Sequence, residues 1–334
     1  MATLVTGGTG FVGSNIVKTL AQQGHEVVCF DLVAPDTLVR KYLEPWAEQV
    51  TFVQGDILDM GDLERAAATQ NITRIVHAAV FTAIRPDIEV ERSRSIVDVN
   101  VVGTANLLDL AQRLSPSARS EQALERFLYV SSGSVYGEGR SADEVLREDT
   151  ILYPHSLYAT TKYASELLTR RYGELHGFQT VSVRLSSPYG PMERVTGHRA
   201  LMSVLYEWTG NVARGEPVRV GDRSLGRDYT YVADTAAGIC AVLNAPSLSY
   251  DVYNISTGTW ITLGDVIEAL QELRPSLQVV DDPSVEFGIL RSGVGRGPMD
   301  VTRLREDVGF ATSFDLVAGL GDYLQWREAF SFRR

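Results

Sequence analysis

The sequence predicts an α/β fold: a doubly wound parallel sheet followed by a smaller α/β C-terminal lobe. Three features carry that expectation. Short β-branched runs alternate with amphipathic stretches through the first half, a glycine-rich turn joins the first run to the first amphipathic stretch, and the alternation loosens after about Ser187. Apolar strands parted by helical segments mark a parallel sheet covered on both faces, since every crossover helix shields one side of the strands it connects.

Taken in order, ATLVTG reads as the first strand and Ser14 to Gln23 as a helix, because its apolar residues recur at a helical period. HEVVCFDL, VTFVQGD, RIVHAA and RFLYVSS follow as strands, with FQTVSVRL, around Arg184, as another. Between the last two, Tyr158 to His176 reads as a long helix, so six or seven parallel strands are expected. Beyond Ser187 come loops rich in Gly, Pro and Arg, with helical segments near Ala200 to Val212 and Thr262 to Leu273. Ser115 to Gln122 (SPSARSEQ) has the composition of a solvated surface loop.

Composition narrows the function. The 334 residues are enough for a sizeable core, and 31 basic against 42 acidic residues give a net charge of −11. Such a surface repels phosphate backbones and anionic lipid, so no nucleic-acid or membrane partner is expected. No apolar run approaches the ~20 residues of a spanning helix, and MATLVTGGTG lacks the basic and apolar regions of an export signal. Two cysteines, Cys29 and Cys240, make neither a disulfide framework nor a zinc site; a reducing, cytoplasmic setting and no bound metal are expected.

Gly7, Gly10 and Gly13 form G-x-x-G-x-x-G directly after an apolar strand and at the start of a helix. Glycine permits the tight turn and lets backbone approach a pyrophosphate, which helix N-terminal amides then face. Three glycines alone would fit an ordinary turn. Asp31 decides otherwise: it ends the second strand eighteen residues beyond Gly13, near the ~20-residue offset of a carboxylate that accepts from ribose hydroxyls. An acid there repels a 2′-phosphate, which favours NAD over NADP. Asp56, in GDILD after the third strand, either reaches the adenine side or caps a helix. On this reading, residues 1–186 are a Rossmann-type NAD-binding domain completed by about 228–257, and 187–334 are mainly a substrate-binding lobe.

Tyr158 and Lys162 stand at i and i+4 in YATTK, on one face of the long helix. A phenol with a pKa near ~10 is a poor base at neutral pH, but a neighbouring ammonium favours the phenolate. A solvated helix face would carry the same spacing. Ser132, in YVSSGSVYG at a strand end, makes the difference, because ligands of an α/β sheet gather at the carboxyl ends of its strands.

These residues together resemble the extended short-chain dehydrogenase/reductase family, and within it the NAD-dependent sugar epimerase/dehydratase group. The resemblance runs through TGGTGFVG at Thr6 to Gly13, HAA at His77 to Ala79, DVNVVGTANLL at Asp98 to Leu108, VSSGSVYG, YATTK, PYGP at Pro188 to Pro191 and RDYTYVAD at Arg227 to Asp234. It implies that Ser132, Tyr158 and Lys162 are the catalytic triad, with Lys162 also on the nicotinamide ribose. It implies cofactor contacts from Phe11, Val12, Ile57, Ala78 and Ala79, and a supporting role for Asn100. His77 reads as a satisfied loop histidine.

Departures from the family pattern narrow the reaction. Sugar-nucleotide 4,6-dehydratases place Asp-Glu directly after the catalytic hydroxyl, and uronate decarboxylases carry a glutamate at the second position. Gly133 and Ser134 stand there in this chain and supply no carboxylate. What remains is oxidation of a secondary alcohol. The leading expectation is epimerisation of a nucleotide-activated sugar, a UDP-sugar at C4, through a transient keto form. Its substrate contacts would be Ser132, Ser134, Ser187, Arg199, Arg227 and Arg291, the last two gripping a diphosphate. Arg194, His198 and Arg199 add positive charge in one loop, which is either an anion site or a solvated segment. Ser187 replaces the asparagine of many relatives, and Val294 stands where an acid would hold the nucleotide ribose, so a net NAD-dependent dehydrogenase of a free sugar, sugar acid or small hydroxy compound is the alternative. A non-catalytic dinucleotide sensor is a third reading, from another class.

Two amphipathic helices, Ile96 to Leu114 and Tyr158 to Tyr172, carry Val97, Val101, Leu107, Leu108 and Ala111 on the first and Leu167, Leu168 and Tyr172 on the second. They imply a homodimer by resemblance; covering the chain's own sheet would use the same stripes.

Overall fold

The computed structural model describes residues 1–82, 86–115, 123–138, 144–196, 202–286 and 296–332. The first half is a strict alternation: β1 (Ala2–Thr6), α1 (Phe11–Gln22), β2 (Glu26–Asp31), α2 (Thr37–Leu43), β3 (Val50–Gln54), α3 (Met60–Ala67) and β4 (Ile72–His77). It continues with α4 (Pro86–Val97), a wide turn at Asp98–Val102, α5 (Gly103–Arg113), β5 (Arg126–Ser132), α6 (Leu157–His176) and β6 (Thr180–Leu185). Every residue of β1 is buried, as a strand covered on both faces requires.

The second half adds β7 (Ser187–Tyr189), α7 (Val204–Arg214), β8 (Val218–Val220), β9 (Gly226–Arg227), β10 (Tyr229–Tyr231), α8 (Val232–Asn244) and β11 (Val252–Ile255). After these come β12 (Ile261–Thr262), α9 (Leu263–Leu273), β13 (Val279–Asp281), α10 (Thr302–Val308) and α11 (Leu316–Ala329). The main sheet has seven strands in the order β11-β6-β5-β4-β1-β2-β3, parallel throughout. Among the described residues three two-stranded pairs, β10 with β7, β12 with β9 and β13 with β8, lie outside that sheet.

Strand order places the site. The chain adds β2 and β3 on one side of β1 and then crosses to add β4, β5 and β6 on the other, which opens a crevice at the carboxyl ends beside β1. Register brings those ends level: Thr6 lies opposite both Phe30 and His77, and Ser132 opposite Leu185. On one face α1 packs on α8, where Ile16, Val17 and Leu20 share a core with Ile239 and Leu243.

Several boundaries differ from the sequence expectation. Helix α1 begins at Phe11, not Ser14, with Gly10 at its N-cap and no side chain capping it. Helix α7 begins at Val204, because Ser203 accepts from the Tyr206 amide while Glu193 holds both the amide and the hydroxyl of Ser203. The helix expected over Ile96 to Leu114 is continuous, running from the end of α4 through α5, and widens to one π-helical turn at Asp98–Val102. Ser115 is buried and donates to the Gln112 carbonyl, so it is not solvated; the rest of that segment lies outside the described residues. Leu107, Leu108 and Ala111 are also fully buried against the chain's own sheet, which removes them from a dimer face. Among the described residues no helix is long and apolar enough to cross a membrane.

A buried ionic network ties the sheet to α6. Arg184 of β6 donates to both oxygens of Glu166 at 3.0 and 2.8 Å, and further to the Tyr136 hydroxyl and the Glu148 carbonyl. Ser131 completes Glu166, and Tyr136 passes the network on to Asn254 of β11. Burial would lower the Arg184 pKa, but the bonds to Glu166 outweigh it and hold the guanidinium charged. Removing the carboxylate charge leaves that cation uncompensated in a dry interior. Glu166→Gln is therefore expected to destabilise the fold by about 3 kcal/mol, read as a lower midpoint in urea unfolding.

Candidate active site

At the carboxyl ends of the strands lies a cleft of about 1610 Å³, and it begins at the glycine turn. Gly7 adopts φ +67°, and a Cβ there would sit 2.7 Å from the Ala79 amide nitrogen. A Cβ on Gly13 would sit 2.0 Å from the Gly7 carbonyl oxygen. Only glycine closes this turn, and the space left above it is where a ligand meets backbone. Asp31 holds the turn in place: one oxygen accepts the Thr9 amide at 3.0 Å and the other the Val33 amide at 3.2 Å. A carboxylate keeps lone pairs for two hydroxyls after those bonds.

Gly7, Gly10, Phe11, Val12, Gly13, Asp31, Asp56, Ile57, Ala78 and Ala79 all line this end of the cleft. Asp56 also accepts the Leu58 amide, so it caps its own turn as well as facing the cleft. Asn100 does not line the cleft. It is buried, bonds both backbone groups of Phe81 and donates to Thr161, whose hydroxyl in turn donates to the Tyr158 carbonyl. Its place is therefore behind the first turn of α6, which it fixes to the segment after β4. His77 is the last residue of β4 rather than part of a loop, bonded to Thr6 and Thr104. Burial, reinforced by Lys162, lowers its pKa to about 3, so the ring is neutral at any working pH.

Ser132, Tyr158 and Lys162 line the same cleft. Ser132 ends β5, and its oxygen accepts the Ser134 amide at 3.1 Å, which directs the hydroxyl proton to another acceptor. Ser156 caps α6 by accepting from Ala159, and that cap puts Tyr158 in the first turn, facing the cleft. Lys162, one turn later, is buried and donates to the Val130 carbonyl at 2.7 Å, with its nitrogen 6.0 Å from the Tyr158 ring centre. Loss of water pushes its pKa down to about 7, against the pull of Glu166.

Residues of the second half, Ser187, Arg227, Tyr229 and Arg296, also line the cleft, as does Ser134, two residues beyond Ser132. Arg199 and Arg291, with His198 and Val294, lie outside the described residues. Arg194 lines the cleft and is not a solvated residue: it pairs with Asp36 at 2.7 Å and donates to the Thr9 carbonyl, bracing the glycine turn. Sequence reasoning missed Tyr229 and Arg296. Tyr229 stands two residues after Arg227 in RDYTYVAD, and that period-two spacing alone sets both on one side of an extended segment. Arg296 carries a weaker signal, its place between Gly295 and Gly297.

The model of the NAD dependent epimerase/dehydratase family matches residues 3–256. The chain belongs to that family. The UDP-glucuronate 4-epimerase of Thermodesulfobacterium geofontis is 30% identical over 281 residues, spanning 81% of this chain and 80% of that protein. The dTDP-glucose 4,6-dehydratase of an Actinoplanes species is 29% identical over 341 residues, 98% of both chains. The solved UDP-glucose 4-epimerase of Thermus thermophilus, in complex with NAD, is similar with a TM-score of 0.80 at 28% identity, covering 98% of this chain and all 100% of that one. NAD is the family's cofactor, and the residues here fit it: a glycine cradle with no room for side chains, an uncapped helix N-terminus behind it, and an acid at the end of β2.

Two outcomes test this geometry. Gly13→Ala forces a methyl onto the Gly7 carbonyl, and NAD affinity measured by calorimetry is expected to fall about 100-fold or more. Lys162→Met removes an ammonium whose burial costs several kcal/mol and leaves one carbonyl unpaired, at a cost of about 1–3 kcal/mol. The ligand-free variant should therefore unfold no earlier than the native protein at pH 6. Between about 7 and 10.5 the unfolded chain holds a proton that the folded chain has released, so native stability rises with pH across that window. Thermal unfolding should show the variant's advantage shrinking from pH 7 to pH 9.

Proposed function

We propose that this protein is an NAD-dependent epimerase of a UDP-sugar, inverting C4 through a transient keto form. The observation that supports the reading is that Ser132, Tyr158 and Lys162 line the same cleft as the glycine turn, with no carboxylate at the two positions after Ser132. The chemistry supplied by bound NAD is the reversible removal of hydride from the carbinol carbon. The Tyr158 phenolate takes the proton of the sugar hydroxyl, and Ser132 donates to the same oxygen. Lys162 favours the phenolate by its charge and holds the nicotinamide ribose. Protonation of the returning alkoxide by Tyr158 on the other face completes the inversion.

Likeness to epimerases and to a 4,6-dehydratase supports the shared oxidation step, and Gly133 and Ser134 separate the two outcomes. Elimination of water calls for an acid and a base next to the ring, and neither residue is one. Arg227 on β9 is assigned to the diphosphate, whose anchorage lets the keto sugar turn without leaving. On this reading residues from 187 onward hold the substrate while the main sheet holds NAD. A homodimer through α5 and α6 is part of the proposal, with Val102 and Leu167, each about two-fifths exposed, as its apolar contacts.

The test is turnover of UDP-glucose and UDP-glucuronate by the NAD-loaded protein, with product sugars separated by chromatography and reduced cofactor followed by absorbance. Epimerisation gives C4-inverted product with no net reduced cofactor. Steady accumulation of NADH would instead make the protein a net dehydrogenase. Tyr158→Phe should lower kcat by about 10³-fold, within the range of lost acid–base catalysis, while NAD binding persists.

A further inference from the structure

Helices α1, α6, α7 and α10 all turn at their ends through a left-handed glycine: Gly24 (φ +80°), Gly177 (φ +73°), Gly215 (φ +72°) and Gly309 (φ +73°). A Cβ at any of the four would meet nothing within 4 Å, so glycine stands there for its backbone freedom alone. Helix α11 makes the same turn through Ser331, at φ +51°. Its closure matches that of α1. At α1 the amides of His25 and Gly24 donate to the Leu20 and Ala21 carbonyls; at α11 the amides of Phe332 and Ser331 donate to the Arg327 and Glu328 carbonyls at 2.8 and 3.1 Å. A left-handed residue with a side chain is destabilising, and glycine would remove that strain. Of the five turn residues only Ser331 lines the cleft. Its hydroxyl has no partner among the described residues.

The segment that carries Ser331 is fastened to the helices around the glycine turn. Lys41 of α2 donates to the Ala329 carbonyl at 3.3 Å, and its nitrogen lies 4.8 Å from the centre of the Phe330 ring. The Tyr42 ring meets Phe330 edge-on at 6.0 Å, and its hydroxyl donates to Asn15 at 2.6 Å. Asn15 donates in turn to the carbonyl of Phe11, the first residue of α1. Phe332, folded back by the left-handed turn, packs on Trp326 at 5.2 Å, and its carbonyl accepts from Arg327. Phe11, Lys41 and residues 330–332 line one cleft. Through Tyr42 and Asn15 the segment is tied to the first turn of α1, whose amides face a dinucleotide. That attachment makes the coenzyme, and not the sugar, the ligand its hydroxyl serves.

We propose that residues 330–332 form a strap over the coenzyme, in which the Ser331 hydroxyl bonds NAD and slows its release. The proposal uses the family's cofactor and is independent of the sugar. Calorimetry and release kinetics with NAD, together with thermal unfolding of the ligand-free protein, test it in Ser331→Gly and Ser331→Ala. Ser331→Gly removes the strained Cβ, so the ligand-free variant should unfold about 1–2 °C later than the native protein. It should nevertheless bind NAD about 5-fold more weakly, the size of one hydrogen bond, with release faster by about the same factor. Ser331→Ala keeps the Cβ and loses the hydroxyl; it should show the same loss of affinity without the gain in stability. Serine serving only to end the helix would leave NAD affinity unchanged, so native affinity in either variant overturns the proposal. A loss confined to UDP, titrated separately as a probe of the substrate side, overturns it as well. Earlier unfolding of ligand-free Ser331→Gly also overturns it, because the serine then answers a structural need.

Discussion

Removing the Lys162 ammonium from water is the constraint around which the site is built. An ammonium at the surface would be screened and mobile; buried below the cleft, it acts at short range on whatever occupies the space above α6. Its bond to the Val130 carbonyl fixes one donor, and Glu166, one turn further along α6, raises its affinity for a proton. Glu166 in turn is held by Arg184 and Ser131, so the proton affinity of Lys162 depends on a pair that also ties α6 to β6. Stability and chemistry therefore share one network, and the fold pays for the lysine with the surrounding polar structure.

The glycine turn answers a different demand. Its geometry leaves no space for side chains, and Asp31 accepts one amide of the turn, that of Thr9, and the Val33 amide beyond β2 while facing the cleft. Arg194 adds a brace from 158 residues away, joining Asp36 to the turn and so linking the second half of the chain to the first. The walls are thereby set before any ligand arrives, and binding need not order them.

Much of this was legible because local chemistry dictates it. The β-branched runs gave the strands, the turn could be closed only by glycine, and the i to i+4 spacing put Tyr158 and Lys162 on one helix face. What escaped depends on long-range packing. A helical period shows that Leu107, Leu108 and Ala111 are buried but not against what, and here they meet their own sheet. Asn100 lies in a family motif, yet its bonds to Phe81 and Thr161 put it behind the wall and not in it. Helix α7 starts where Ser203 and Glu193 meet, a contact no periodicity contains. Arg296 reaches Gly133 from far along the chain, and its glycine neighbours say only that the segment turns.

The absence of a side chain at Gly133 and the arrival of Arg296 belong together. An acid after Ser132 would occupy the space beside the alcohol and supply the proton traffic of an elimination. Glycine vacates that space, and a guanidinium stands against it. Arginine holds its proton at any working pH and so cannot act as the base that elimination requires; what it contributes is a fixed positive field.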